Sequence, residues 1–179
     1  PATAYSPSVS PDGRVLAAPC LDHSVRVWDV SNMQPVHVFS IPGNSFTLNY
    51  TITGDYILVG GIEGSVWALD ANTGELRLDL EHHKGWELDV ASYNEEIFLS
   101  TSEQNVTRIS RIADGRSLLS FSGSTGGARV ALSPDGTQLI SARNTDFQIY
   151  ASKLDYDLGS LMHLACEPQT RAYLQSHPD

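Results

Sequence analysis

Short runs of alternating apolar and polar residues recur along most of the chain, separated by turns rich in Gly, Asp and Asn. Arg14 to Cys20 (RVLAAPC) is rich in strand formers, and the turn LDHS follows, where Asp22 can bond its own backbone. Val25 to Val30 then alternates as a half-buried strand does, and Val36 to Phe39 (VHVF) adds another. The same order returns at Tyr56 to Val59, the turn Glu63-Gly64, Val66 to Leu69, the turn Asn72-Thr73-Gly74 and Leu76 to Leu80. With the strand that precedes each SPDG-like turn, every unit holds about four strands and none holds a convincing helix.

The units repeat at a fixed spacing. "VSPDGRVL" (Val9 to Leu16) and "LSPDGTQL" (Leu132 to Leu139) are nearly one phrase, and Gly13 and Gly136 lie three times 41 residues apart. The intermediate positions, Gly54 and Glu95, each precede a β-rich run. A second column runs through Val25, Val66, Val106 and Phe147, with steps of 41, 40 and 41. Four units are expected, at about 1–40, 41–81, 82–122 and 123–154.

Four short antiparallel strands cannot cover both faces of their sheet alone. Sheets stacked radially around an axis hide one another's faces and leave only short edges, and a period of about 40–45 residues with four strands marks such blades. The expected fold is therefore all-β, a β-propeller of four-stranded antiparallel blades. Four such blades are expected to leave an incomplete ring, so the chain is expected to be the C-terminal part of a larger propeller or to need a partner for closure. The Asp-Gly turns follow from backbone geometry, because Gly accepts positive φ and Asp caps the turn. Asp12, Gly13, Asp135 and Gly136 are accordingly structural.

SPDG before an aliphatic strand, followed by "DHSVRVWD" (Asp22 to Asp29), resembles the WD-repeat β-propellers, in particular bacterial ones with degenerate repeats. "EHHKGWELDVASYN" (Glu81 to Asn94) is similar to the opening of such a repeat, with His83 as its loop histidine; "SGSTGGARVALSPDG" (Ser122 to Gly136) is similar too, with Ser124 in the histidine's place. The resemblance covers about Tyr5 to Tyr150. It implies a hydrogen-bonded set in each blade: a turn Asp, the loop His, a strand Ser or Thr and a strand Trp. Only pieces match. Unit one keeps Asp22 and Trp28, unit three keeps His83 with Glu103 for the Asp and Ile109 for the Trp, and units two and four place Leu69 and Tyr150 in the Trp column.

"GSVWALDANTGEL" (Gly64 to Leu76) is also similar to the repeat of quinoprotein-type propellers, whose cofactor sits on the axis. No such residue set is present, and no cofactor is expected. Residues 155–179 leave the period. Leu158, Leu161, Met162 and Ala165 recur at helical spacing, and Pro168 suits the first turn of a second helix, so a short helical C-terminal tail is expected.

Charge narrows the partners. Eleven Lys and Arg face 21 Asp and Glu, a net charge of −10. Phosphate contacts need a basic footprint, which argues against nucleic acid, and the same sign argues against an anionic membrane. No apolar run is long enough to cross a bilayer. Two distant cysteines, Cys20 and Cys166, point to a reducing, cytoplasmic location. His82 and His83 lie beside Glu81, Glu87 and Asp89, but neighbours on an extended chain point to opposite faces. One structural loop His and one solvated His are expected, with no metal and no catalytic residue. Arg and exposed aromatics anchor interfaces, so Trp86, His83, Arg108 and Arg129 are the candidate partner contacts. The expected function is a non-catalytic scaffold or sensor module that binds a protein or peptide through its loops, with self-association also expected. The alternative is a quinoprotein-like enzyme or an axial ligand binder.

Overall fold

The computed structural model describes residues 4–85, 87–104, 106–122, 129–133, 137–142 and 149–153. Three four-stranded antiparallel sheets follow one another, each in plain chain order. Sheet one holds β1 (Ser8–Val9), β2 (Val15–Cys20), β3 (Ser24–Asp29) and β4 (Pro35–Ser40). Sheet two holds β5 (Ser45–Tyr50), β6 (Tyr56–Gly61), β7 (Ser65–Asp70) and β8 (Leu76–Glu81), and sheet three holds β9 (Glu87–Ser92), β10 (Ile97–Ser102), β11 (Val106–Arg111) and β12 (Ser117–Ser122). Sheet four shows β13 (Arg129–Leu132), β14 (Gln138–Ala142) and β15 (Ile149–Lys153). The helical tail, Asp135, Gly136 and Trp86 lie outside the described residues.

The sheets fan out side by side. The second strand of each packs on the first strand of the next: β2 on β5, β6 on β9 and β10 on β13. The first strands also neighbour one another, β1 by β5, β5 by β9 and β9 by β13, and so line the axis. This is the packing of propeller blades. Its core lies between sheets, in three layers. Ala17, Val25, Val27 and Phe39 of sheet one meet Ile57, Val59, Trp67 and Leu69 of sheet two. Leu58, Val66 and Ala68 on the opposite face of sheet two meet Val90 and Phe98 of sheet three. Ile97, Leu99 and Ile109 on the far face of sheet three meet Val130 and Leu139 of sheet four. Strands β6 and β7 of sheet two and β10 of sheet three thus serve two cores, odd residues to one side and even to the other, which only a stack of sheets requires.

The pairing corrects the expected column. Val25 pairs with Pro19 and Phe39, Val66 with Gly60 and Leu80, and Thr107 with Thr101 and Phe121. The first two steps are 41, the third position is Thr107, not Val106, and in sheet four the residue paired in this place, opposite Ala142, is Ile149. A one-residue slip exchanges the two faces of a strand. The residue in the Trp column of unit three is consequently Ser110 rather than Ile109, and Ile109 is buried against sheet four.

A hydroxyl column unnoticed in the sequence closes the turns between first and second strands. Ser10, Thr51, Ser92 and Ser133 are spaced by 41, and three of them accept a bond from the strand that follows: Val15 N on Ser10 Oγ at 3.1 Å, Tyr56 N on Thr51 Oγ1 at 3.1 Å and Gln138 N on Ser133 Oγ at 2.9 Å. Asp12 caps the first such turn, accepting from Ser10 Oγ at 2.6 Å and Arg14 N at 3.0 Å, while Gly13 takes φ +74°. These bonds hold the Asp12 carboxyl below the usual range.

Candidate interaction surface

The joint between sheets two and three is built on a histidine pair. After β8 the chain turns, and the amides of His82 and His83 both donate to Gly64 O, at 3.0 and 2.9 Å. That shared acceptor breaks the extended alternation, so the two rings enter one interior, 5.2 Å apart and nearly perpendicular. His83 Nε2 bonds Ser100 Oγ at 2.9 Å, and His82 Nε2 bonds Ser110 Oγ at 2.8 Å. Both rings are buried, so neither is the solvated histidine expected, and His83 belongs to the internal bonding of the blade rather than to an exposed contact. Burial, with Arg108 nearby, lowers His82 to about 4; burial, His82 and Arg108 lower His83 to about 3. Both imidazoles are neutral at pH 7.

A carboxylate ties the axial strands. Asp89 on β9 accepts from Thr47 Oγ1 on β5 at 3.2 Å and from Val130 N on β13 at 3.2 Å, with Arg129 Nη1 at 3.8 Å. One side chain so bridges three consecutive sheets. Burial raises its pKa, against the lowering by these donors and Arg129. Arg129 is therefore half-exposed and ion-paired at the axis, whereas Arg108 is half-buried beneath the histidine pair with its Nε unbonded. Of the expected contacts among the described residues, Arg129 is exposed, Arg108 is half-buried and His83 is buried.

The turn and strand residues fall as follows. Asp22 accepts from Ser24 Oγ at 2.5 Å and Arg26 Nη2 at 2.6 Å, which hold its carboxyl low. Trp28 is half-buried, but on the face of sheet one that points away from sheet two, beside Leu16. On that same face Val38 is 63% exposed and Val9 and Val36 are also exposed. The counterparts of Val9, Leu16 and Trp28 one period later are Tyr50, Ile57 and Leu69, all buried against sheet one. The outer face of sheet one thus has the composition of a covered face.

Two clefts open between sheets one and two. One, of about 370 Å3, is lined by Trp67, Glu63, Asp79 and Glu81 with His23 and Pro42; Trp67 Nε1 donates to Asp79 Oδ1 at 2.9 Å. The other, of about 270 Å3, lies at the opposite ends of the strands, among the turns that carry Asp12, Asp55 and Asn72. Among the described residues, no three His, Cys, Asp or Glu converge as metal ligands, and no helix is long and apolar enough to cross a membrane.

Comparison with known proteins agrees with this architecture. Residues 4–29 match the family model "WD domain, G-beta repeat". Over 114 residues, 64% of the chain, it is 29% identical to the F-box-like/WD repeat-containing protein TBL1X of Mus musculus and 28% identical to that of Homo sapiens. The F-box-like/WD repeat-containing protein TBL1Y of Homo sapiens is 27% identical over the same length. These matches span about a fifth of each relative, 22%, 20% and 22%. Its sheet order and fan of blades are those of a β-propeller, and its sequence is similar to the WD-repeat proteins.

Proposed function

We propose that this chain is a non-catalytic scaffold module of a larger assembly, working by holding a partner protein against rigid propeller blades. WD repeats generally mediate protein–protein contact. The observation that carries the reading is the outer face of sheet one. Val9, Val36 and Val38 stand in solvent around Leu16 and Trp28, and the counterparts of Val9, Leu16 and Trp28 are buried in sheet two, whereas those of Val36 and Val38 are the exposed polar residues Arg77 and Asp79. Contiguous exposed apolar surface of this kind marks an interface. Its cover is another protein surface of blade-like, apolar character, whether a further blade or a partner. The net charge of −10 favours partners with a basic rim. The free, buried Cys20 fits a reducing, cytoplasmic setting.

The test is Val36→Lys with Val38→Lys. Both side chains are exposed, so the fold is retained by circular dichroism, while self-association in sedimentation and the capture of specific partners both fall. Unchanged mass and an unchanged set of captured proteins would remove this face from the function.

A further inference from the structure

The turn-side cleft between sheets one and two has a feature that packing does not explain. Tyr50, the last residue of β5, lines it and is only 6% exposed, yet its hydroxyl has no hydrogen-bond partner. Buried phenol hydroxyls ordinarily find one. Around it stand Asp12 from the first turn of sheet one, Thr53 and Asp55 from the first turn of sheet two, and Asn72 from the third. Both carboxylates face the cleft partly used. Asp12 Oδ1 already accepts from Ser10 and from the Arg14 amide, and Asp55 Oδ2 accepts from Thr53 Oγ1 at 2.7 Å. Asp12 Oδ2 and Asp55 Oδ1 retain acceptor capacity. Arg14 does not line the cleft: its side chain is 84% exposed and its Nε lies 3.7 Å from Asp12 Oδ2, an ion pair beyond hydrogen-bond distance. The negative charge of Asp12 is also felt at the phenol, whose pKa burial and that carboxylate push up to about 12, so the hydroxyl keeps its proton.

The cavity therefore offers two carboxylates, a buried hydroxyl and side-chain amide and hydroxyl oxygens, in a space of about 270 Å3. That is below the ~300–1,000 Å3 of sites for drug-sized ligands and suits one side chain. A ligand must bring positive charge and several donors in a plane. We propose that the cleft formed by Asp12, Tyr50, Thr53, Asp55 and Asn72 is a recognition pocket for an arginine side chain of a protein partner. The guanidinium fork has five donors and cannot lose its charge, which matches a wall made of acceptors. Tyr50 supplies the otherwise missing acceptor, and its ring, with Pro11, covers the aliphatic stem. The pocket joins two consecutive blades, so its occupation also links them. This assignment deepens the scaffold reading and rests on it.

The experiment is an amide-proton NMR titration of the whole chain with N-acetyl-arginine amide, and with N-acetyl-lysine amide beside it. Saturable shifts at Thr53, Gly54 and Asn72 are expected, with lysine the weaker ligand. Asp12→Asn and Asp55→Asn should each weaken arginine by about two- to fivefold, the range of exposed ion pairs. Tyr50→Phe should weaken it by about threefold or more while leaving the thermal midpoint equal or higher, because the hydroxyl has no partner in the free protein. A merely structural tyrosine would not separate binding from stability in this way. Absence of saturable shifts, equal or tighter lysine binding, or a Tyr50→Phe variant that binds as the parent does would each overturn the assignment. If shifts instead cluster around Val36 and Val38, the pocket is refuted while the scaffold reading stands.

Discussion

Acidification from pH 7.5 to 5 should loosen this protein through His82 and His83. Both rings are buried, bonded to Ser110 and Ser100, and neutral in the fold. Their folded pKa values are about 4 and about 3, against 6.5 in an unfolded chain. The native state therefore binds fewer protons than the unfolded state throughout the interval between 6.5 and about 4. Stability is complete above 6.5 and is lost as pH falls through that interval. Each pKa unit corresponds to about 1.4 kcal/mol, so at pH 5 each imidazole has lost about 2 kcal/mol and the pair about 4 kcal/mol. That is a large part of the ~5–15 kcal/mol typical of a domain. Asp89 works in the opposite direction, since its folded pKa is raised and protonation relieves its burial. Urea unfolding followed by tryptophan fluorescence at pH 7.5, 6.0 and 5.0 measures the slope. The double variant His82→Gln/His83→Gln keeps a polar partner for each serine and cannot titrate, so subtracting its slope removes the contribution of Asp89. If parent and variant lose the same stability, the enclosure of the two rings is wrong.

Other substitutions test the packing and the turns. Gly61→Ala places a methyl 2.6 Å from Trp67 Cη2, and this overpacking should cost about 1–3 kcal/mol in urea unfolding. Gly13→Ala meets no atom within 4 Å but must hold φ +74°, so a smaller loss of about 1–2 kcal/mol is expected from backbone strain alone. Phe98→Ala empties the layer between sheets two and three and should cost about 3–5 kcal/mol; a value below 1 kcal/mol would contradict the inter-sheet core.

Much of the architecture was written in local chemistry. Asp12 and Gly13 demand a turn wherever they stand, and alternation in Val25 to Val30 demands a strand with two unlike faces. Repetition at 41 residues then implies stacked sheets, since one unit cannot hide its own surface. Ser10, Thr51, Ser92 and Ser133 carried the same period and were legible, because each closes a turn within its own unit. The slip at Val106 shows the limit of such reading. Apolar character favoured Val106 for the column, whereas pairing put Thr107 there, and only hydrogen-bond register between strands could decide which face each residue took. Tertiary structure alone also decided the fate of the histidines, because their burial depends on Gly64, Ser100 and Ser110 arriving from three other strands or turns. The same holds for Asp89, which joins residues 42 and 41 positions away, and for Tyr50, whose hydroxyl is orphaned by what sheet one does not supply. A sequence specifies conformational preference and period residue by residue; whether a polar group is satisfied or stranded is a property of distant neighbours, and it exists only once the blades have packed.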